Sequence, residues 1–246
     1  MSAAWIRADW PAPHTVIAGT TLRGGGVSRR QYESLNLGAH VGDDELAVAD
    51  NRQRFGRLCG LPRQPAWLRQ VHGVSVLTDP LPDSPQEADA IVSRRHATVC
   101  AVLTADCLSV LLAAADGSEV AAAHAGWRGL CGGVLERTVA AMSAPPAALL
   151  AWLGPAISQP AFEVGPEVRE QFVAEDSAAA DSFAQNSQGR WQADLYGLAR
   201  LRLARAGVTR IFGGDRCTYA EAGSFFSYRR DGQCGRMASF IFRKNA

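Results

Sequence analysis

Residues 97–115, ATVCAVLTADCLSVLLAAA, carry one charge in 19 positions, Asp106, near the middle. A hydropathy scan would take this run for a membrane span, but a span would bury Asp106 at its centre at a cost of about 2.5–3.5 kcal/mol. The polar break Thr104-Ala105-Asp106-Cys107 divides it into two short apolar halves, a pattern that predicts strand, bend, strand. Asp116-Gly117 follows directly. This dipeptide is the strongest short hairpin signal, so strands are expected at 108–114 and 119–123 on either side of it. A soluble protein with no membrane partner is expected.

The hairpin sets two reactive side chains near one another. If Asp116-Gly117 fills a two-residue turn, Ala115 faces Ser118 and His124 lies opposite Ser109. Cys107 is two residues from Ser109, hence on the same face and diagonal to His124. Diagonal neighbours lie about 7–8 Å apart at Cα and closer at the side-chain tips. A thiolate and an imidazole can converge across that gap on one metal, with bonds of about 2.3 Å to sulfur and 2.0–2.1 Å to nitrogen. A turn of any other length would shift the register and part them.

The chain has 246 residues and a formal net charge of +1. That length buries enough surface to fold without a metal or disulfide staple, and the balanced charge argues against a nucleic-acid partner. All 25 basic residues are arginine except Lys244. Schiff-base chemistry needs a buried lysine amine, and the phosphate-cradling P-loop needs a Gly-Lys-Ser/Thr triplet, so both are excluded. The arginine excess itself reads as biased codon supply. Cys59, Cys100, Cys107, Cys131, Cys217 and Cys234 form no C-x-x-C pair and no zinc-finger spacing, and residues 1–14 lack the apolar stretch of a secretion signal. A cytoplasmic location with reduced thiols is expected.

Residues 20–44 are rich in Gly, Ser, Asn and Arg and read as a long ordered loop, itself a hint of function. Helices are expected at 44–59, capped by Asp43/Asp44 and stopped by Gly60, and at 126–142, 165–172 and 194–206. Further strands are expected at 66–70, 74–78, 98–103, 147–153, 210–212, 225–229 and 237–242. Strands and helices mix without a βαβ rhythm, which predicts a single α+β domain over residues 1–246 with mixed sheets. His72 lies between two of these strands, and Gly73 after it permits a close approach of ligand or backbone. On its own, such a histidine more often hydrogen-bonds within a turn than ligates a metal. His124 ends an apolar strand ahead of a helix opened by Gly126, whose amides and dipole favour an anion. Arg128 in that first turn offers a bidentate phosphate contact or faces solvent.

Six short motifs follow in order: Gln70-Val71-His72-Gly73, Ala88-Asp89-Ala90, Thr104-Ala105-Asp106-Cys107, His124-Ala125-Gly126-Trp127-Arg128-Gly129, Gly154-Pro155-Ala156-Ile157 and Phe226-Ser227-Tyr228-Arg229-Arg230. With the loop from Arg23 to Asp43, they resemble the YfiH/laccase-domain family, also called polyphenol oxidase or multicopper polyphenol oxidoreductase. The likeness spans residues 20–242. It implies a cysteine-hydrolase-like α+β architecture with two mixed β-sheets and flanking helices. It also implies one Zn2+ per chain, held by His72, Cys107 and His124. The implied activity is phosphorolysis of purine nucleosides (adenosine, inosine, guanosine, methylthioadenosine), with an added adenosine deaminase activity. Relatives often carry cysteine after the Gly-Pro motif. This chain reads Ser158-Gln159-Pro160-Ala161-Phe162-Glu163 there, so no second thiol is available.

The five histidines, His14, His40, His72, His96 and His124, are half of the roughly ten that a four-copper oxidase needs. Laccase chemistry is excluded on that ground, though a single Cu2+ can replace zinc and support weak phenol oxidation. Three protein ligands with an open fourth position mark a catalytic zinc, whose bound water is acidic enough for deamination. Phosphorolysis needs phosphate held against the anomeric carbon; Arg23 and Arg128 are the candidate phosphate contacts, Asn36 and Gln70 the candidate contacts to ribose or base. Cys107, His124 and Asp106 form the candidate catalytic set. Asp106 would act as general base or orient a zinc-bound histidine, and His40 would line the site or stabilise a turn. A second reading takes Cys107 and His124 as the nucleophile–base pair of a metal-free amide hydrolase acting on a peptide or cell-wall precursor. A third, a non-enzymatic metal-binding module, fits poorly with so much ordered polar loop. Trp5, Trp10 and Trp191 are candidate surface residues for a homodimer.

Overall fold

The computed structural model describes residues 5–79 and 86–244. The strands are β1 (Trp5–Arg7), β2 (Val16–Thr21), β3 (Leu68–Arg69), β4 (Val76–Thr78), β5 (Gln86–Glu87), β6 (Ala90–Ser93), β7 (Cys100–Thr104) and β8 (Leu108–Ala114). They continue with β9 (Val120–Ala125), β10 (Leu149–Leu153), β11 (Glu163–Val164), β12 (Phe183–Gln185), β13 (Trp191–Ala193), β14 (Arg210–Gly213) and β15 (Met237–Arg243). The helices are α1 (Glu45–Cys59), α2 (Trp127–Gly132), α3 (Val134–Ala141), α4 (Pro166–Glu175), α5 (Leu195–Arg205) and the single turn α6 (Tyr228–Asp231).

Two sheets pack face to face between helices. One has the order β1-β2-β15-β7, and the other β14-β10-β8-β9-β6-β4. The α+β class and mixed pairing hold for the six-stranded sheet, whose end pairs β14/β10 and β6/β4 are parallel while its inner pairs are antiparallel. The expectation of two mixed sheets needs correction, because the four-stranded sheet is antiparallel throughout. Two small sheets, β11-β13-β12 and β3-β5, are added at the margins.

Strand β8 shows why the apolar run imitates a membrane span. Leu108, Val110 and Leu112 face the helices with Leu130, Leu135 and Leu198, while Leu111 and Ala113 face the other sheet with Val102 and Ile241. Both faces are buried, so the strand is apolar at every position rather than alternating. Among the described residues, no helix is long and apolar enough to cross a membrane. The outer face of the four-stranded sheet is covered by α1 through Phe55, which lies against Phe240 edge-on at 5.2 Å. Asp44 caps α1 by accepting from Ala47 N, and Gly60 ends it in the left-handed conformation (φ 61°), as its sequence predicts.

Two expected elements differ. The helix foreseen at 126–142 is broken into α2 and α3 by Gly133, whose φ of 94° no helix accommodates. The strand foreseen at 225–229 does not form. Phe225 and Phe226 are both fully buried beside Met237 and Cys234, but Phe225 N donates back to the Glu221 carbonyl in a local turn instead of to a neighbouring strand, and Ser227 caps the turn α6 by accepting from Arg230 N. Strand β2 is not among the strands expected from the sequence, and its last two residues, Thr20 and Thr21, fall where the early loop was expected to begin. A Cβ on Gly19 would lie within 2.6 Å of the Trp5 ring, so glycine is what lets β1 lay Trp5 across the sheet.

Candidate metal centre

The hairpin register is the one a two-residue turn requires: Leu108 pairs with Ala125 and Ser109 with His124. Cys107 sits just ahead of β8, after a sharp bend at Asp106 (φ 94°). His124 lies near the end of β9 and is 2% exposed. His72, in the loop between β3 and β4, is exposed and itself left-handed (φ 61°), an uncommon conformation outside glycine that is frequent at functional sites. The structure brings these three together from three separate segments. Their donor atoms all lie within 4.8 Å of one another. Cys107 Sγ stands 3.9 Å from His72 Nε2, and the two imidazole rings meet edge to face with centroids 4.8 Å apart.

One thiolate and two imidazoles are a donor set that suits zinc or copper. In a tetrahedral zinc site such donors stand about 3.4–3.7 Å apart, so the three need to close by only about an ångström. The backbone is built to let them. A Cβ on Gly126 would meet His72 Cδ2 at 3.0 Å and Cys107 Sγ at 3.1 Å, and one on Gly129 would meet the Gly73 carbonyl at 2.7 Å. These two glycines admit the His72 loop to the start of α2.

A fully buried carboxylate, Asp89, lies behind the cluster. Its Oδ1 accepts from His124 Nδ1 (2.8 Å) and His72 N (3.0 Å), and its Oδ2 from Gly73 N (2.6 Å) and Val71 N (3.2 Å). Burial pushes the Asp89 carboxyl up, but these hydrogen bonds from His124, Gly73 and Val71 outweigh it and hold the group below the usual range. Burial likewise pushes His124 down, yet Asp89 and the Cys107 thiolate raise it to about 9. For Cys107, burial raises the thiol, while hydrogen bonding to His124 and His72 and their charge bring it to about 6. Each group thus favours the charged form of the other.

Residues 17–244 match a family model described as multi-copper polyphenol oxidoreductase laccase. The chain belongs to this family. It is 56% identical over 235 residues to the Escherichia coli K12 protein named purine nucleoside phosphorylase YfiH, covering 95% of this chain and 96% of that one. A Pseudomonas aeruginosa purine nucleoside phosphorylase is 49% identical over 240 residues, covering 97% and 98%. The crystal structure of Neisseria meningitidis protein NMB0706 superposes with a TM-score of 0.95 at 49% identity, covering 98% of this chain and all of the other. That of YlmD from Geobacillus stearothermophilus gives 0.91 at 29% identity, covering 100% and 98%.

For this laccase-family chain, several residues singled out in the sequence turn out to serve the scaffold. Asp106 neither orients a histidine nor points a free oxygen at the cluster. Its carboxylate accepts from Thr218 Oγ1 (2.6 Å) and Arg229 N (2.7 Å), pinning the bend that presents Cys107. The histidine-orienting part assigned to it belongs to Asp89, whose signal was a lone acid between small apolar residues ahead of a strand. Asn36 is fully buried with every donor and acceptor engaged, by Gly38, Asp43 and Arg236, so it has nothing left for ribose or base. Gln70 pairs in both directions with the Leu103 backbone and extends the edge of β7. Arg23 donates to the Glu33 and Ala222 carbonyls and lies over the Phe226 ring, clasping the early loop to the C-terminal one. Arg128 is exposed, its guanidinium 4.3 Å above the Trp127 ring. The helix it sits on, α2, has six residues, too short for the macrodipole expected there. His40 is not among the three converging donors; burial first, then the nearby Arg236 and Arg52 charges, push its pKa down. Trp5 packs on Phe240, and Trp191 lies beneath Arg169.

Proposed function

We propose that this chain is a purine nucleoside phosphorylase built around one zinc ion held by His72, Cys107 and His124. The observation that carries the reading is the convergence of these three donors in a chain 56% identical to a relative named for that activity. Zinc held by these three residues would supply a Lewis acid. Asp89 holds the proton on His124 Nδ1, so that Nε2 offers its lone pair. Cys107 is kept as a thiolate by the two imidazoles. Arg128, exposed four residues after His124, binds the phosphate dianion. In the reaction, a phosphate oxygen bonds to C1′ as the C1′–N9 bond breaks; the electron pair leaves with the purine, which takes up a proton.

The substrates are adenosine, inosine, guanosine and methylthioadenosine, with deamination of adenosine as a side activity; Cu2+ is a possible substitute metal. The protein works in the cytoplasm, without nucleic-acid or membrane partners, and a homodimer is compatible with this reading. The test is metal analysis of purified protein, paired with adenosine turnover with and without phosphate, in wild type and Cys107→Ala. The expected result is about one zinc per chain and phosphate-dependent release of adenine, lost in the variant. Metal-loaded protein that leaves every nucleoside intact would overturn the activity.

One observation favours a second reading. Asp89, His124 and Cys107 form the acid–base–nucleophile sequence of a cysteine hydrolase, which would suit amide cleavage in a peptide or cell-wall precursor. Protein that purifies without metal and acylates on Cys107 would establish it.

A further inference from the structure

We infer that Asp89 is a positioning residue that assembles the two-histidine half of the site, by holding the His72 loop and the His124 ring on one carboxylate. The inference rests on the reading of His72, Cys107 and His124 as a metal site. The two histidines come from unrelated segments, a loop and a strand end, and nothing in the chain's path makes them neighbours. Asp89 meets both. Three successive amides, of Val71, His72 and Gly73, converge on its two oxygens, and His124 Nδ1 completes a set of four donors. The Asp89 carbonyl also accepts from His124 N at 2.7 Å, so backbone and side chain of one residue fix both ends of the same histidine.

The charge type is dictated by this geometry. Each oxygen receives two donors: Oδ1 those of His124 and His72, Oδ2 those of Val71 and Gly73. An asparagine has one acceptor oxygen, and in either orientation its NH2 group would face two N–H donors. A carboxylate alone satisfies both sides. Because an ionised carboxylate only accepts, the proton on His124 must sit on Nδ1, which turns Nε2 toward Cys107 and His72. The three amide bonds stabilise the left-handed turn at His72 (φ 61°), a conformation costing of order 1–3 kcal/mol without such support.

The test compares wild type and Asp89→Asn for zinc affinity, by competition with a chromophoric chelator. It also compares hydrogen exchange at the amides of Val71, His72 and Gly73 and at His124 Nδ1–H, in metal-free protein. Outer carboxylates of this kind typically account for 10–100-fold in metal affinity, and a loss of that size is expected in the variant. In metal-free wild type the three amides and the ring N–H should be protected, and in the variant they should exchange freely. A folded variant that binds zinc as wild type does would overturn the inference. If the variant does not fold, the wild-type exchange decides: free exchange at these four protons in the metal-free protein refutes a preassembled site. Neither arm uses nucleoside turnover, so a wild type that binds zinc but cleaves no nucleoside overturns the proposed activity and leaves this inference standing.

Discussion

Replacing Gly126 with alanine adds one methyl group at the narrowest point of the site. The backbone there (φ −60°, ψ 155°) suits any L residue, so the effect comes from crowding alone. The new Cβ would stand 3.0 Å from His72 Cδ2, 3.1 Å from Cys107 Sγ and 3.5 Å from His124 Cε1. Carbon contacts are optimal at about 3.5–4.0 Å, so the side chains must withdraw by about half an ångström. Overpacking of this sort costs about 1–3 kcal/mol, and removing a glycine from the unfolded chain returns about 0.4–1 kcal/mol. The net destabilisation is therefore about 0–2.5 kcal/mol. At about 2–4 °C per kcal/mol for a chain of this size, Tm falls by no more than about 10 °C and the protein stays folded. The site is less forgiving, because productive constellations tolerate about 0.5 Å and a 1 Å displacement costs about a hundredfold. Zinc affinity, measured by chelator competition at 25 °C, should drop about tenfold in a variant whose circular dichroism is that of the folded protein. Gly126→Ala with zinc affinity within twofold of wild type would refute the claim that glycine is kept there to admit the ligands.

Two further outcomes follow from the charged groups. In metal-free protein at pH 7–8, iodoacetamide should modify Cys107 first, with a half-maximal rate near the pKa of about 6 set by burial and the two histidines. Cys59, pushed up to about 12 by burial, and Cys100, raised by burial, should remain unmodified; faster labelling of either, followed by peptide mass spectrometry, contradicts the assigned environments. Glu221 is held below its usual range by hydrogen bonding to Arg216, against a smaller burial effect, and by Cys217 N. A lowered folded pKa contributes stability above the unfolded value of about 4.3 and loses it as pH falls through the folded value. Glu221→Gln should thus lower Tm at pH 7 but converge with wild type toward pH 3, and a constant difference in Tm across that range would remove the pair from the acid transition.

Much of the scaffold was readable because its signals are local. The Asp116-Gly117 turn set the register of β8 and β9 to the residue, and that register alone placed Cys107 diagonal to His124. The ends of α1 were marked by Asp44 and Gly60. Failures have the same origin in reverse. Gly133 looked like one more tolerated helix residue, and the paired phenylalanines at 225 and 226 read as strand because adjacent buried aromatics have β-like composition, although both pack in one cluster with Met237 and Cys234 from a turn. Asn36, Gln70, Arg23 and Asp106 drew attention as polar residues in loops or at strand ends. Polarity identifies a side chain that needs hydrogen bonds; it does not say whether substrate or backbone supplies them, and here the backbone largely does.

Local sequence thus determined the hairpin, its register, the capped helix and two of the three donors, because each depends on residues within about twenty positions of one another. The tertiary structure decided the rest. It carried His72 in from the β3–β4 loop, gave Asp89 its four donors, and spent the remaining polar loop residues on holding that arrangement. Among those pairings, Gly73 and Asp89 are 16 residues apart and Asn36 and Arg236 are 200 apart; no turn or periodicity specifies either, and they arise only when the chain closes over a common core.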